Sequence, residues 1–124
     1  MNALRSAARR LTCPARLDAV IDDIRDLALL PRGWDGQDAN PISSDAIEAA
    51  ERLAAMLKDY EATLAPFADP KGFVGFEGSL GKARMLLSVA ADGTLAYVIK
   101  ENQSVQRGHS VTPAKFLKLL SALS

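Results

Sequence analysis

The stretch Ala83-Arg84-Met85-Leu86-Leu87-Ser88-Val89-Ala90-Ala91-Asp92-Gly93-Thr94-Leu95-Ala96-Tyr97-Val98-Ile99-Lys100 decides the fold. Two apolar runs flank Asp92-Gly93, the turn chemistry of a β-hairpin. A two-residue Asp-Gly loop would put Met85, Leu87 and Val89 on the face of Ala96 and Val98, with Leu95, Tyr97 and Ile99 beside Leu86 and Ser88. Neither face would then be polar. A three-residue loop with Gly93 in the left-handed conformation instead unites Met85, Leu87, Val89, Leu95, Tyr97 and Ile99 on one strongly apolar face. That register is the expected one. It leaves Leu86, Ser88, Ala90, Ala96, Val98 and Lys100 on a weaker second face, mildly apolar and rimmed by Arg84 and Lys100.

Ahead of the hairpin, Phe73-Val74-Gly75-Phe76-Glu77 reads as a short strand and Gly78-Ser79-Leu80-Gly81 as a turn. Behind it, Glu101 to Ser110 is polar and reads as a connection. Thr112-Pro113 then supplies an N-cap and first-turn pair for a terminal helix carrying Phe116, Leu117, Leu120 and Leu123.

Upstream the period is helical. Leu17, Val20, Ile21, Ile24, Leu27 and Ala28 fall on one stripe of a helix that Pro14 suits at its first turn and Pro31 prevents from continuing. A second helix starts where Ile42 precedes a Ser43 N-cap and Ile47 completes a hydrophobic staple. Its stripe, Ile47, Ala50, Leu53, Ala54, Leu57, Tyr60 and Leu64, points toward Pro66. Between the helices lies a turn-rich loop holding the only Trp. Gly33 and Gly36 allow positive φ there, Asp35 and Asp38 can accept backbone hydrogen bonds, and the Trp34 indole offers roughly 150 to 250 Å² for burial as an anchor. Gly33, Trp34, Asp35, Gly36 and Pro41 are thus read as a structural motif. The predicted fold is α+β: two antiparallel helices joined by the Trp-bearing loop, packed on a small antiparallel sheet of about three strands, with a C-terminal helix. Residues 1–124 form a single domain, with 1–14 read as a loosely ordered N-terminal extension.

Composition agrees with one soluble domain: 124 residues, 48% hydrophobic, 24% charged and a formal net charge of zero. No apolar run approaches the roughly 20 residues that span a bilayer, and no secretory h-region is seen, so a cytoplasmic location is expected. The neutrality conceals a segregation, with +4 in residues 1–16, −8 in 17–70 and +4 in 71–124. A nucleic-acid partner is disfavoured, because phosphate neutralisation calls for a net basic domain with aromatic residues among the bases.

Catalytic signatures are weak throughout. The one histidine, His109, sits in a polar stretch without a visible partner, and Cys13 alone cannot form an internal disulfide or a cysteine-built zinc site. Gly78-Ser79-Leu80-Gly81-Lys82 lacks the first Gly and the final Ser or Thr of a phosphate loop, and Ser79 lacks the frame of a nucleophile elbow. Asp35, Asp38 and Asn40 miss the glycine spacing of a calcium loop. No catalytic, cofactor-binding or metal-binding residue is assigned, and no cofactor is expected. The enzymatic alternative, a hydrolase or nucleic-acid-processing enzyme, would use Asp35, Asp38 and Glu77.

The run Leu30 to Ser43, LPRGWDGQDANPIS, followed by an Ala-rich helix, the strand Gly-Phe-Val-Gly-Phe-Glu and a hairpin turning at Asp-Gly, resembles a family of small bacterial and mobile-element proteins. Their signature is Gly-Trp-Asp-Gly followed shortly by Pro-Ile, and the likeness covers roughly residues 17 to 100. Such sequences often carry Trp after the Glu of the first strand, where this chain has Gly78, so the resemblance implies no aromatic surface at that point. It implies the order helix, loop, helix, sheet, and no settled activity. Together with the charge segregation and the scarcity of convergent catalytic groups, it leads to an expected protein-binding role, such as an antitoxin, an immunity protein or a phage-encoded inhibitor of a bacterial defence system. Leu86, Ala96, Val98 and Lys100 are the candidate interface, toward another protein or a second copy of the chain.

Overall fold

The computed structural model describes residues 13–60 and 62–123, so most of the extension expected over 1–14 lies outside the described residues. Helix α1 spans Cys13–Leu27 and helix α2 Ser44–Leu57. Ser43 caps α2 from extended backbone, its Oγ accepting the Ala46 N–H at 3.0 Å. Ile42 and Ile47, the two members of the staple, are both buried. A 3-10 turn over Lys58–Tyr60 ends this helical segment.

Five strands follow: β1 Thr63–Asp69, β2 Phe73–Leu80, β3 Ala83–Val89, β4 Leu95–Glu101 and β5 Ser104–Val111. They form one antiparallel sheet in the order β1-β2-β3-β4-β5, each strand paired with its neighbour in sequence. The β3–β4 register is the three-residue one. Met85 faces Ile99, Leu87 faces Tyr97 and Val89 faces Leu95, while Ala90 N–H donates to the Thr94 carbonyl across a loop whose Gly93 has φ +88°. Helix α3, Pro113–Leu123, starts at Thr112, whose Oγ1 accepts the Lys115 N–H.

One face of the sheet carries the core. Leu64, Val74, Phe76, Met85, Leu87, Val89, Leu95 and Ile99 are buried against Val20 and Ile24 of α1, Leu53 and Leu57 of α2, and Phe116 and Leu120 of α3. The Phe116 ring meets Tyr97 at 5.5 Å between centroids, and the Tyr60 and Ser121 hydroxyls lie 3.2 Å apart. All three helices of the described residues therefore serve the same side. Arg25 of α1 also meets Glu51 of α2 at 3.0 Å, a contact that raises the guanidinium pKa through the hydrogen bond and the charge of Glu51.

The structure corrects the expected element list in four places. The sheet has five strands where about three were expected. The helical stripe does not extend to Leu64, because the chain turns at Lys58–Tyr60 and Leu64 is instead an inward residue of β1. The stretch 101–110 is mostly strand β5, reached through a tight turn at Asn102, whose φ is +55°. Likewise β2 continues through Gly78 and Ser79 to Leu80, leaving Gly81 and Lys82 to turn the chain. A Cβ at Gly78 would collide with the backbone carbonyl of Thr63, so β1 and β2 pair this closely only because the side chain is absent.

Candidate functional site: the open face of the sheet

Strand geometry sends alternate side chains to opposite faces, so the residues between the core positions share the other side. Register aligns them in rows. One runs Thr63, Ser79, Arg84, Lys100, Val105; the next Ala65, Glu77, Leu86, Val98, Arg107; a third Phe67, Gly75, Ser88, Ala96. Among the described residues no helix covers this face. Leu86 at its centre is 47% exposed, Phe67 38% and Val105 46%, whereas Leu87, the next residue along β3, is 1% exposed. Leu86, Ala96, Val98 and Lys100, the residues the hairpin register singled out, are brought together here.

The face is apolar in the middle and mixed in charge. Phe67 lies flat across Gly75, where a Cβ would sit within the ring, so this aromatic covers the glycine of the neighbouring strand. Thr63 and Ser79 share a hydroxyl contact at 2.7 Å, and Ser88 Oγ donates to Asp69 Oδ2 at 3.4 Å. Asp69 and Glu77 belong to β1 and β2, and Arg84, Lys100 and Arg107 to β3, β4 and β5. The face thus runs from acid on one side of β3 to base on β3 and beyond. Two shallow depressions indent it: one of about 670 Å³ between Thr63, Glu77, Arg84 and Lys100, the other of about 460 Å³ between Phe67, Leu86, Ala96 and Arg107.

The Trp loop serves a different purpose. Gly33 N–H donates to the Ala39 carbonyl at 2.8 Å, and Asp35 Oδ1 accepts from the Gln37 and Ala39 N–H groups at 2.9 and 3.2 Å. Asn40 N–H donates to the Pro70 carbonyl and Ser43 N–H to the Gly72 carbonyl, at 2.8 and 3.1 Å, so the loop is stitched to the β1–β2 turn. The indole does not enter the core as an anchor. Trp34 is only half-buried, and its Nε1–H donates to the Asn40 carbonyl at 3.0 Å. Gly36 and Pro41 complete the loop, both exposed.

Of the carboxylates of the enzymatic alternative, Asp35 and Asp38 share the Trp loop and Glu77 lies apart from them on β2. Asp35 is committed to its own loop, and Glu77 stands five residues along β2 from the turn to which that loop is tied, about 16 Å at strand rise. Among the described residues no three His, Cys, Asp or Glu side chains gather as a metal-ligand group, and no helix is long and apolar enough to cross a membrane. His109 is exposed on β5, next to a register shift opposite Leu95–Tyr97.

Reasoning from sequence missed Phe67, Val105 and Arg107 as members of the face, because their strands went unread. Alternation was present in both. Leu64, Pro66 and Ala68 alternate with Thr63, Ala65 and Phe67, and Val105 and Arg107 alternate with Gln106 and Gly108.

Comparison with protein-family models, curated proteins and solved structures finds no match. The functional reading therefore rests on the face itself.

Proposed function

We propose that this chain is a non-enzymatic protein-binding module that acts by stoichiometric contact through the open sheet face, as an antitoxin, an immunity protein or a phage-encoded inhibitor of a bacterial defence system would, in the cytoplasm. A single observation carries the reading: a sheet face that no described element covers, with Leu86 at its centre, Phe67 and Val98 exposed or partly exposed on it, and charge among them. Contiguous exposed apolar surface of this kind marks an interaction site. Its composition suits a protein partner better than nucleic acid, since Glu77 and Asp69 on the same face oppose phosphate. The Gly-Trp-Asp-Gly…Pro-Ile resemblance to mobile-element proteins supports the same reading.

The test is a titration against a toxin or defence nuclease encoded beside this gene. Inhibition ends at a fixed molar ratio of the two proteins, Asp38→Asn behaves as the parent, and Val98→Glu loses inhibition while keeping a cooperative unfolding transition. Complete loss of target activity at a small fraction of the molar equivalent, growing with time, refutes contact inhibition.

A further inference from the structure

We propose that the occupant of the open face, in the isolated chain, is a second copy of the same chain, packed sheet against sheet about a two-fold axis that runs along β3. The inference rests on the reading of this face as a protein-contact surface, and names its partner. Three observations lead to it.

The first is the charge layout. A two-fold axis along the central strand of five places β1 of one copy over β5 of the other and β2 over β4, while each row of side chains faces the same row. Glu77 of one copy then lies over Val98 of the other. The immediate neighbours of Val98 on this face are Arg107, directly across on β5, and Lys100, two residues along β4. Among the described residues these cations and Glu77 have no ion pair, so each carboxylate finds two cations, twice over by symmetry. Arg84 approaches the axis at the start of β3, where its exposed side chain can turn out to solvent. An axis perpendicular to the strands and passing through the same row would set Glu77 on Glu77, so the charge pattern selects between the two orientations.

The second is the apolar centre. Leu86 sits on the proposed axis and meets its own copy, with Val98 beside it in the same row and Ala65 at the end of that row, beyond Glu77. Aligned packing of two twisted sheets interdigitates such side chains across about 10 Å. Phe67, flattened over Gly75, leaves that corner shallow enough for close approach.

The third is area. Five strands about 4.8 Å apart and seven residues long at about 3.3 Å each make a face of roughly 24 by 23 Å. Two such faces remove on the order of 1,100 Å² from water, above the ~1,000 Å² that a specific contact needs and well below an obligate interface. The dimer is thus a moderate, concentration-dependent one, separable by a partner that competes for the same face.

Sedimentation equilibrium of the full chain at low salt, from about 1 µM to 1 mM, reads this directly. The expected result is a monomer–dimer equilibrium weakened by added salt. Glu77→Lys and Lys100→Glu each weaken it about tenfold or more, and the triply substituted E77K/K100E/R107E chain, in which the carboxylate and both cations trade sign, recovers most of the loss. These charge changes lie on exposed positions, so circular dichroism should show unchanged folding. Monomer at every concentration overturns the proposal, as does dimerisation indifferent to both single substitutions. A monomer that instead binds single-stranded DNA, and loses it with Lys100→Glu, overturns it in favour of a nucleic-acid face. A monomer that still inhibits its target, with Val98→Glu abolishing inhibition, sinks only the second copy; inhibition that survives Val98→Glu sinks the underlying protein-contact reading as well.

Discussion

Leu86 and Leu87 are chemically identical neighbours on one strand, and the fold assigns them opposite environments, which makes the pair a direct measure of which sheet face is open. Leu87 is 1% exposed between Phe76 and Tyr97. Truncation to Ala there loses the transfer energy of the side chain and leaves a cavity, about 3 to 5 kcal/mol in total. Leu86 is 47% exposed and borders solvent. About half of a full burial worth roughly 1.5 to 3 kcal/mol is at stake, part of it kept by the Ala methyl, and no enclosed cavity forms, so Leu86→Ala costs less than about 1 kcal/mol. Urea denaturation distinguishes the two. With a slope of about 1.5 kcal/mol/M, Leu87→Ala moves the midpoint down by about 2 M or more and Leu86→Ala by less than about 0.7 M. The measurement belongs near 1 µM protein, where mass action from self-association is small. Equal losses would refute the reasoning, because Leu86 would then be as enclosed as Leu87 and the second face covered.

Trp34→Ala removes a half-buried indole and its bond to the Asn40 carbonyl; about 1 to 2 kcal/mol is expected, less than a core aromatic costs, and a midpoint loss matching Phe116→Ala would show the indole is a core anchor after all. Gly78→Ala forces β1 away from β2 at Thr63 and should lower the melting temperature far more than Gly81→Ala at the exposed β2–β3 turn, although Gly81 too pays for a positive φ. Asp92 holds the Thr94 hydroxyl and N–H, which lowers its pKa from the ordinary aspartate value. The sign follows: the contact stabilises the fold above the ordinary carboxylate range and fades as pH falls through the lowered value, so an NMR titration should give Asp92 a lower midpoint in the parent than in Thr94→Val.

The hairpin was legible because its two strands can satisfy only one register without burying a polar face or exposing a strongly apolar one. Both helix starts were legible for an equally local reason, since Ser43 and Thr112 must supply side-chain oxygens at their caps. The edge strands were not. Pro66 in β1 reads as a breaker, and its place on an edge is where a missing N–H is tolerated. In β5 only Val105 and Val111 are strongly apolar, so the strand shows no hydrophobic run, and its turn lacks the glycine that signals a hairpin, using Asn102 at positive φ instead. The open face was half-legible as a consequence: its β3 and β4 residues were named, while the acid side depended on recognising β1. Trp34 was legible as a structural residue of its loop, whereas its closing of that loop through the Asn40 carbonyl, outside the core cluster, was not.

A sheet in which every strand pairs with the strand just made needs no long-range closure to assemble, and chains with such local contacts fold quickly. The helix that fills the far end of the core comes last in that order. Until Phe116 and Leu120 arrive, Tyr97 lacks its ring partner and the inner side of β3 and β4 is only partly covered, while no described element covers the outer side. During synthesis there is therefore an interval in which both surfaces of the sheet present apolar side chains, and it closes with the few residues of α3 rather than with the sheet itself.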